Sequence, residues 1–166
     1  MSPQRLVLVD TNVLLNLAFV NRLDLLSSLS HLAFCVPQEV LAEVVSPREK
    51  ILAEEAIRSG HLQEITFSEV SELALFAELT RSLGMGEASC LALAVHRGAF
   101  VASDEKRAFL REAEARLGPG RVLNTPGLLL LAIRKGLLTV QEADGMKHVQ
   151  ESKRFKMTFG SFGELL

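Results

Sequence analysis

The sequence predicts an α/β fold in which helices cover both faces of a parallel sheet. Short apolar runs of β-forming residues alternate with longer runs of helical periodicity, which is the pattern of consecutive β-α-β units. Residues that favour helix starts follow several of these runs. The chain has 166 residues, 48% hydrophobic and 23% charged, which is the composition of a globular protein of one domain. We therefore expect a single domain over residues 1–166.

Five apolar runs are predicted to be strands, each followed by a helix. They are RLVLV (5–9), LAFCV (32–36), HLQEI (61–65), AFVAS (99–103) and RVLN (121–124). A sixth run, FKMTF (155–159), alternates with a period of two, which predicts a small additional strand. The expected sheet therefore has about five parallel strands.

Helix starts are marked by their residue types. Pro37 is suited to a first helical position after the second run, and Thr125-Pro126 marks a start after the fifth run. Thr139 and Glu142 have the spacing of a capping box. These signals support the alternation of strands and helices.

Charge and hydropathy exclude two classes of protein. The formal net charge of −2 argues against a protein that coats nucleic acid through bulk positive charge. No apolar run approaches the roughly 18 residues that span a bilayer, and no cleavage site for a signal peptide follows the first apolar run. We expect no membrane association and a cytoplasmic location.

Two aspartates follow predicted strands directly. Asp10 ends the first strand, and Asp104 follows the fourth strand at the predicted start of the helix DEKRAFLREAEARL. Ligands of open parallel sheets bind at the carboxyl ends of the strands, so both residues are candidates for a binding site. The alternative is that each aspartate only caps a helix.

Two glutamates belong to the same hypothesis. Glu43 lies at the margin of the apolar stripe of the helix after Pro37, whereas Glu39 is expected to point further toward solvent. Glu87 opens a helix, EASCLALAV, that is apolar nearly all round and is therefore expected to be buried. The alternatives are a surface glutamate for Glu43 and a helix-start residue held by backbone N–H groups for Glu87.

Four acids, Asp10, Glu43, Glu87 and Asp104, can then converge on one pocket. Their mutual repulsion would make such a pocket unstable unless a multivalent cation lay among them. Carboxylate ligands without His or Cys favour hard ions such as Mg²⁺ or Mn²⁺. These ions suit phosphoryl chemistry, because they lower the pKa of a water nucleophile and neutralise charge on the phosphate.

The chain resembles the PIN-domain family of metal-dependent nucleases. The matching segments are VDTNVLL, VPQEVLAEV, LGMGEASCLALA and VASDEKRA, and the C-terminal part resembles a toxin-like subgroup whose third acid lies in a Gly-Glu pair. The resemblance implies a three-layer α/β/α fold, Mg²⁺- or Mn²⁺-dependent phosphodiester hydrolysis and often RNA as substrate. It assigns catalysis and metal binding to the four acids, and support or water positioning to Thr11, Asn12 and Ser103. It also implies that an antitoxin protein is a possible partner.

By the same resemblance the expected substrate is single-stranded or loop RNA, with DNA as the alternative, and we expect cleavage by water that leaves a 5′-phosphate. The chain has no Trp and no Tyr, so Phe, His or Arg must stack on bases. Lys106 and Arg107, beside Asp104, are candidates for phosphate contact. The run KHVQESKRFK (147–156), with four basic residues and one acid, is typical of a solvated face.

Two other functions compete with the nuclease. One is a binding module of the same fold whose acids are helix caps and whose site is inactive. The other is a small-molecule phosphatase with an aspartyl nucleophile after the first strand, which Asn12 disfavours because such sites resemble Asp-x-Asp. Apolar stretches such as GLLLLAI and LALAV also leave room for a homodimer.

Overall fold

A sheet of five parallel strands forms the centre of the protein. The computed structural model describes residues 2–105 and 107–166, and within these ranges the strands are Arg5–Val9 (β1), Leu32–Pro37 (β2), Gln63–Ile65 (β3), Phe100–Ala102 (β4) and Val122–Leu123 (β5). Their order across the sheet is β3-β2-β1-β4-β5, and every neighbouring pair is parallel. The predicted α/β class and the five main strands are confirmed.

The central position of β1 follows from its sequence. Val7, Leu8 and Val9 are fully buried, because β1 pairs with β2 on one side and β4 on the other and is covered on both faces. The edge strands β3 and β5 are only three and two residues long. Short edge strands offer little template for pairing with another chain.

The helices form two layers around this sheet. In the described part of the chain they are Thr11–Phe19 (α1), Leu25–Ser28 (α2), Gln38–Glu43 (α3), Pro47–Arg58 (α4), Val70–Leu79 (α5), Met85–Arg97 (α6), Ala108–Leu117 (α7), Thr125–Arg134 (α8) and Val140–Ser152 (α9), with a final 3₁₀ turn at Phe162–Leu165. Helix α6 packs on the strands and contacts α3, α5 and α7, whereas α1 contacts α4, α8 and α9. The architecture is three-layer α/β/α. Among the described residues, no helix is long and apolar enough to cross a membrane.

Most predicted helix starts agree with the structure. Thr139 and Glu142 form the expected capping box at α9, and α8 begins at Thr125, capped by the side chain of Asn124. Pro37 lies one residue before its predicted place, because it is the last residue of β2 and the N-cap of α3. Helix α6 is buried over most of its length, as its apolar sequence predicts.

The predicted helix start at Asp104 is wrong. Helix α7 begins at Ala108, and its N-cap is Arg107, whose φ of 53° interrupts the helical geometry. The residues directly after β4 therefore form a loop. This loop leaves the side chain of Asp104 free to bond elsewhere.

The predicted strand at residues 155–159 is also wrong, because this segment is irregular. The backbone N–H of Phe155 donates to the carbonyl of Gln150 at 3.1 Å, which turns the chain back onto the end of α9. Met157 is buried, and the ring of Phe159 packs edge-on against Phe162 with centroids 4.9 Å apart. The alternating apolar residues pack onto helices and do not pair with a sheet edge.

Candidate active site at the carboxyl edge of the sheet

Asp10 is fixed at the carboxyl end of the central strand. Its side chain is the N-cap of α1, and Oδ1 accepts a hydrogen bond from the Thr11 backbone N–H at 2.8 Å. Its Oδ2 accepts from the hydroxyl of Ser103 at 3.2 Å. Asp10 is only 2% exposed, so this carboxyl is both buried and oriented. Asp10 therefore caps α1, as the helix-cap alternative expects.

Burial raises the pKa of Asp10 to about 7. The hydrogen bonds from Thr11 and Ser103 lower the pKa of Asp10, whereas the charges of Glu87 and Glu105 raise it further. A carboxyl with this pKa holds a proton for much of the time at neutral pH. A cation bound beside it would favour the ionised form.

Glu43 joins the end of α3 to the starts of α1 and α6. Its Oε2 accepts a hydrogen bond from the hydroxyl of Thr11 at 2.6 Å, and its Oε1 accepts from the backbone N–H of Gly86 at 2.7 Å. A Cβ at position 86 would lie 2.8 Å from the same Oε2, so only glycine permits this approach. The carboxylate of Glu43 is thereby held against the first turn of α6.

The expectation for Glu39 is wrong. Glu39 is less exposed than Glu43, and its Oε2 is buried without a hydrogen-bond partner among the described residues. The prediction assumes a regular helix that continues past Glu43. Helix α3 has only six residues and ends at Glu43, so helical periodicity does not determine which of the two glutamates points inward.

Glu87 is held by the start of α6 in the way its alternative interpretation expects. It lies at the third position of the helix and completes a capping box, with Oε1 accepting from the Gly84 N–H at 3.1 Å. Burial raises the pKa of Glu87, and the charges of Glu105 and Glu43 raise it further. Glu87 is therefore both a helix-start residue and a member of an acidic cluster.

Asp104 uses both carboxylate oxygens to join other elements. Oδ1 accepts from the Thr125 backbone N–H at 2.7 Å, and Oδ2 accepts from the Thr125 hydroxyl at 2.6 Å and from the Asn16 amide at 2.8 Å. Asp104 thus connects the end of β4 to α8 and α1. Its assignment as a metal ligand stays a prediction, and these contacts favour a positioning role.

Glu105 is a site residue that the sequence interpretation missed. Its backbone N–H donates to Ser103 Oγ at 3.1 Å, and its carboxylate accepts a hydrogen bond from the Asn12 side chain. Its charge raises the pKa of both Asp10 and Glu87. The sequence signal is the Asp104-Glu105 pair, since both acids directly follow the run AFVAS (99–103).

The three residues predicted to support the acids each donate to at least one carboxylate at this edge of the sheet. Thr11 donates to Asp10 through its N–H and to Glu43 through its hydroxyl. Ser103 donates to Asp10, and Asn12 donates to Glu105. Hydrogen bonds of this kind restrict the rotamers of the carboxylates they reach.

The donor set fits a hard divalent cation. Asp10, Glu43, Glu87 and Glu105 supply only carboxylate oxygens, and the raised pKa values of Asp10 and Glu87 reflect burial and mutual repulsion that a cation would offset. In residues 2–105 and 107–166 no three acidic, His or Cys side chains lie close enough to hold one ion as they stand. Binding would require the flexible glutamates to turn toward Asp10.

A cavity of about 600 Å³ opens beside these acids. Asn12, Asp104 and Glu105 line it on one side, and three basic side chains, Arg107, Lys153 and Arg154, line it as well. Three residues of the run at 147–156, Lys153, Arg154 and Phe155, thus line this cavity, and both basic side chains are also exposed, as a solvated face predicts. Arg107 is placed as a phosphate contact requires, and Lys106 lies outside the described residues.

The comparison with protein families agrees with the fold. A family model described as a PIN domain matches residues 6–154, which is most of the chain. No curated protein is similar enough in sequence to be matched. PIN domains have a nuclease-type fold and typically use divalent metal ions, which fits the carboxylate cluster. The chain belongs to the PIN-domain family.

Proposed function

We propose that the protein is a Mg²⁺- or Mn²⁺-dependent endoribonuclease whose acidic site is formed by Asp10, Glu43, Glu87 and Glu105. The observation that carries the proposal is the buried Asp10 at the end of the central strand, whose pKa is raised to about 7 by burial and by two neighbouring carboxylates. Perturbed carboxylates of this kind concentrate at functional sites. The PIN-domain fold supports the same reaction class.

The four acids would hold the divalent ion at the carboxyl edge of the sheet. When bound, such an ion activates water and neutralises charge on a phosphate. The protein supplies orientation: Ser103 and Thr11 fix Asp10, and Asn12 holds the carboxylate of Glu105. Asp104 connects the end of β4 to α1 and α8 through its hydrogen bonds with Asn16 and Thr125.

The basic side of the cavity suits a phosphodiester backbone. Arg107, Lys153 and Arg154 line the same cavity as Glu105, so a strand can place its phosphates on the cations and its scissile bond at the acids. Direct attack by water needs no 2′-hydroxyl and leaves a 5′-phosphate. Because the basic contacts are few, binding should depend less on salt than in a protein with 6 to 10 phosphate contacts.

The decisive experiment is cleavage of an RNA that is labelled at its 5′ end. We expect loss of cleavage in EDTA and recovery with Mn²⁺. The labelled upstream fragment should end in a 3′-hydroxyl, because hydrolysis of this kind leaves the 5′-phosphate on the downstream fragment. The Asp10→Asn variant, purified in parallel, controls for contaminating nucleases and should be inactive. Cleavage that persists in EDTA, or products with a 2′,3′-cyclic phosphate, would overturn the mechanism. A DNA of the same sequence tests the choice of sugar.

An inactive binding module is the second candidate. The hydrogen bonds of Glu43 to Thr11 and Gly86, and of Glu87 to Gly84, favour it because they already satisfy part of each carboxylate. A melting temperature unchanged by Mn²⁺ would select this function. A toxin role would in addition require an antitoxin partner, which is tested by whether a co-expressed neighbouring gene product suppresses the activity.

A further inference from the structure

Two cavities flank the same pair of acids. The cavity with the three cations and a second cavity of about 580 Å³ share only Asp104, Glu105 and Phe155 among their lining residues. Phe155 is half-buried and packs against the hydrophobic core. Its side chain therefore stands at the boundary between the two cavities.

The two cavities differ in chemistry. The first has three cations in its wall, Arg107, Lys153 and Arg154, whereas the second has one, Lys156. The second cavity has more apolar lining residues than the first, namely Leu110, Val122, Pro126, Met157 and Phe159 besides Phe155. The second cavity also contains side chains of Asn124 and Thr158, which can hydrogen-bond a planar heterocycle at its edge. A polyanion suits the first cavity, and a flat apolar ring with polar edges suits the second.

Phe155 is anchored to the acidic site by a chain of hydrogen bonds. Its N–H donates to the Gln150 carbonyl at 3.1 Å, and the fully buried Gln150 side chain donates to the carbonyl of Asn16 at 3.0 Å. The amide of Asn16 in turn donates to Asp104 at 2.8 Å. The position of Phe155 is thus fixed relative to the residues that end β4.

We propose that Phe155 separates a phosphate-binding cavity from a nucleobase-binding cavity, so that one unpaired base of an RNA strand stacks on Phe155 beside the acidic site. The proposal rests on the proposed nuclease function and names its substrate more closely. A base can enter the second cavity only when it is unpaired and turned out of a helix, which selects single-stranded RNA or loops. In a chain with no Trp or Tyr, phenylalanine is the aromatic side chain that provides such stacking.

The test uses a ten-nucleotide RNA with one 2-aminopurine at its centre and a dye at its 5′ end. Binding is followed by anisotropy of the dye and stacking by quenching of 2-aminopurine, both in EDTA so that cleavage does not interfere. Phe155→Leu retains an apolar side chain and removes the ring. Phe67→Leu is the matched control, because Phe67 is also half-buried, stacks on Phe76 at 5.0 Å and lines neither cavity.

We expect the wild type and Phe67→Leu to quench 2-aminopurine and to bind the RNA equally. Phe155→Leu should lose the quenching and bind at least about fivefold more weakly, in line with alanine substitutions of base-stacking aromatics. An abasic residue in place of 2-aminopurine should weaken binding to the wild type but have little further effect on Phe155→Leu. This loss of additivity is what a direct contact between ring and base produces.

Three results would each overturn the proposal of a base-binding cavity. They are equal quenching by the wild type and Phe155→Leu, additive effects of Phe155→Leu and the abasic substitution on binding, and equal affinity of the wild type for the abasic and the complete strand. Absence of RNA binding would overturn it as well. The cleavage assay with Mn²⁺ separates this failure from that of the nuclease. Cleavage that is unaffected by Phe155→Leu would leave the nuclease in place without the base cavity, and quenching without cleavage would leave the base cavity without the nuclease.

Discussion

The hydroxyl of Ser103 donates a hydrogen bond to Oδ2 of Asp10 at 3.2 Å and joins the ends of two neighbouring strands. The same Ser103 oxygen accepts the backbone N–H of Glu105 at 3.1 Å. One hydroxyl therefore places a buried aspartate and a half-buried glutamate at the same edge of the sheet.

Asp10→Asn should abolish metal-dependent cleavage while leaving the protein equally stable or more stable. The asparagine removes a ligand, and it also removes a carboxyl whose ionised form is disfavoured by burial and by Glu87 and Glu105. We expect at least about a 100-fold loss of activity, as removal of key electrostatic groups produces. Activity and urea unfolding, measured on the same preparations, check both parts. Wild-type activity in Asp10→Asn would exclude Asp10 from catalysis.

The pH dependence of stability in EDTA should carry the signature of Asp10. The pKa of Asp10 is raised from 3.8 in the unfolded chain to about 7 in the folded protein. The stabilisation is therefore complete below pH 3.8 and is lost as pH rises toward about 7. Asp10→Asn should flatten this part of the curve of unfolding free energy against pH. Parallel curves for the two proteins between these limits would contradict the raised pKa.

Glu105→Gln and Asp104→Ala should separate catalysis from positioning. Glu105→Gln is expected to lose activity and to retain stability, because its carboxylate accepts a hydrogen bond from Asn12, which an amide oxygen can also accept, and its charge repels Asp10. Asp104→Ala removes the acceptors for Thr125 and Asn16 and should lower stability by about 1 to 3 kcal/mol. Thermal unfolding and initial cleavage rates distinguish the two. A stable but inactive Asp104→Ala together with an active Glu105→Gln would restore Asp104 as the functional acid.

Gly86→Ala should damage the site, whereas Gly145→Ala should stabilise the protein. A Cβ at position 86 would lie 2.8 Å from Glu43 Oε2 and would displace that carboxylate, while a Cβ at position 145 meets nothing within 4 Å. Position 145 is an exposed site within α9, where alanine is favoured over glycine by roughly 0.5 to 1 kcal/mol. Melting temperature and Mn²⁺-dependent activity test both variants. Equal activity of Gly86→Ala and the wild type would mean that the position of the Glu43 carboxylate against Gly86 is not required for activity.

Glu72→Gln should destabilise the protein through a buried ion pair remote from the site. Glu72 is 1% exposed, and its Oε2 accepts from Arg97 Nε at 2.7 Å. The hydrogen bond from Arg97 is the main cause that lowers the pKa of Glu72 to about 2. The stabilisation that ionised Glu72 contributes to the folded protein is present above pH 4.5 and is lost as pH falls toward 2. We expect a loss of about 3 kcal/mol at pH 7, shrinking in acid, in denaturant titrations.

The local sequence determined much of the fold. Alternating apolar runs and helix-start residues predicted the α/β class and the five strands, because hydrophobic period and capping act over a few neighbouring residues. The capping box of Thr139 and Glu142 and the burial of α6 agree with that local chemistry. The position of Asp10 at a strand end was also readable, since RLVLV is followed directly by a capping residue.

Long-range contacts decided which acids meet. Asp104 and Glu105 are neighbours in sequence, yet Asp104 bonds Thr125 and Asn16 whereas Glu105 bonds Asn12. The packing of α8 against α1 makes this choice, because it places Thr125 and Asn16 beside Asp104, and both residues are far from position 104 in the sequence.

The segment at residues 155–159 also depended on tertiary structure. Its period-two pattern predicts a strand, but a strand needs a free sheet edge, and the chain instead folds back where Gln150 accepts the N–H of Phe155. That turn places Lys153, Arg154 and Phe155 beside Glu105. A periodic pattern specifies which side chains are buried, whereas the partner that buries them is set by elements far away in sequence.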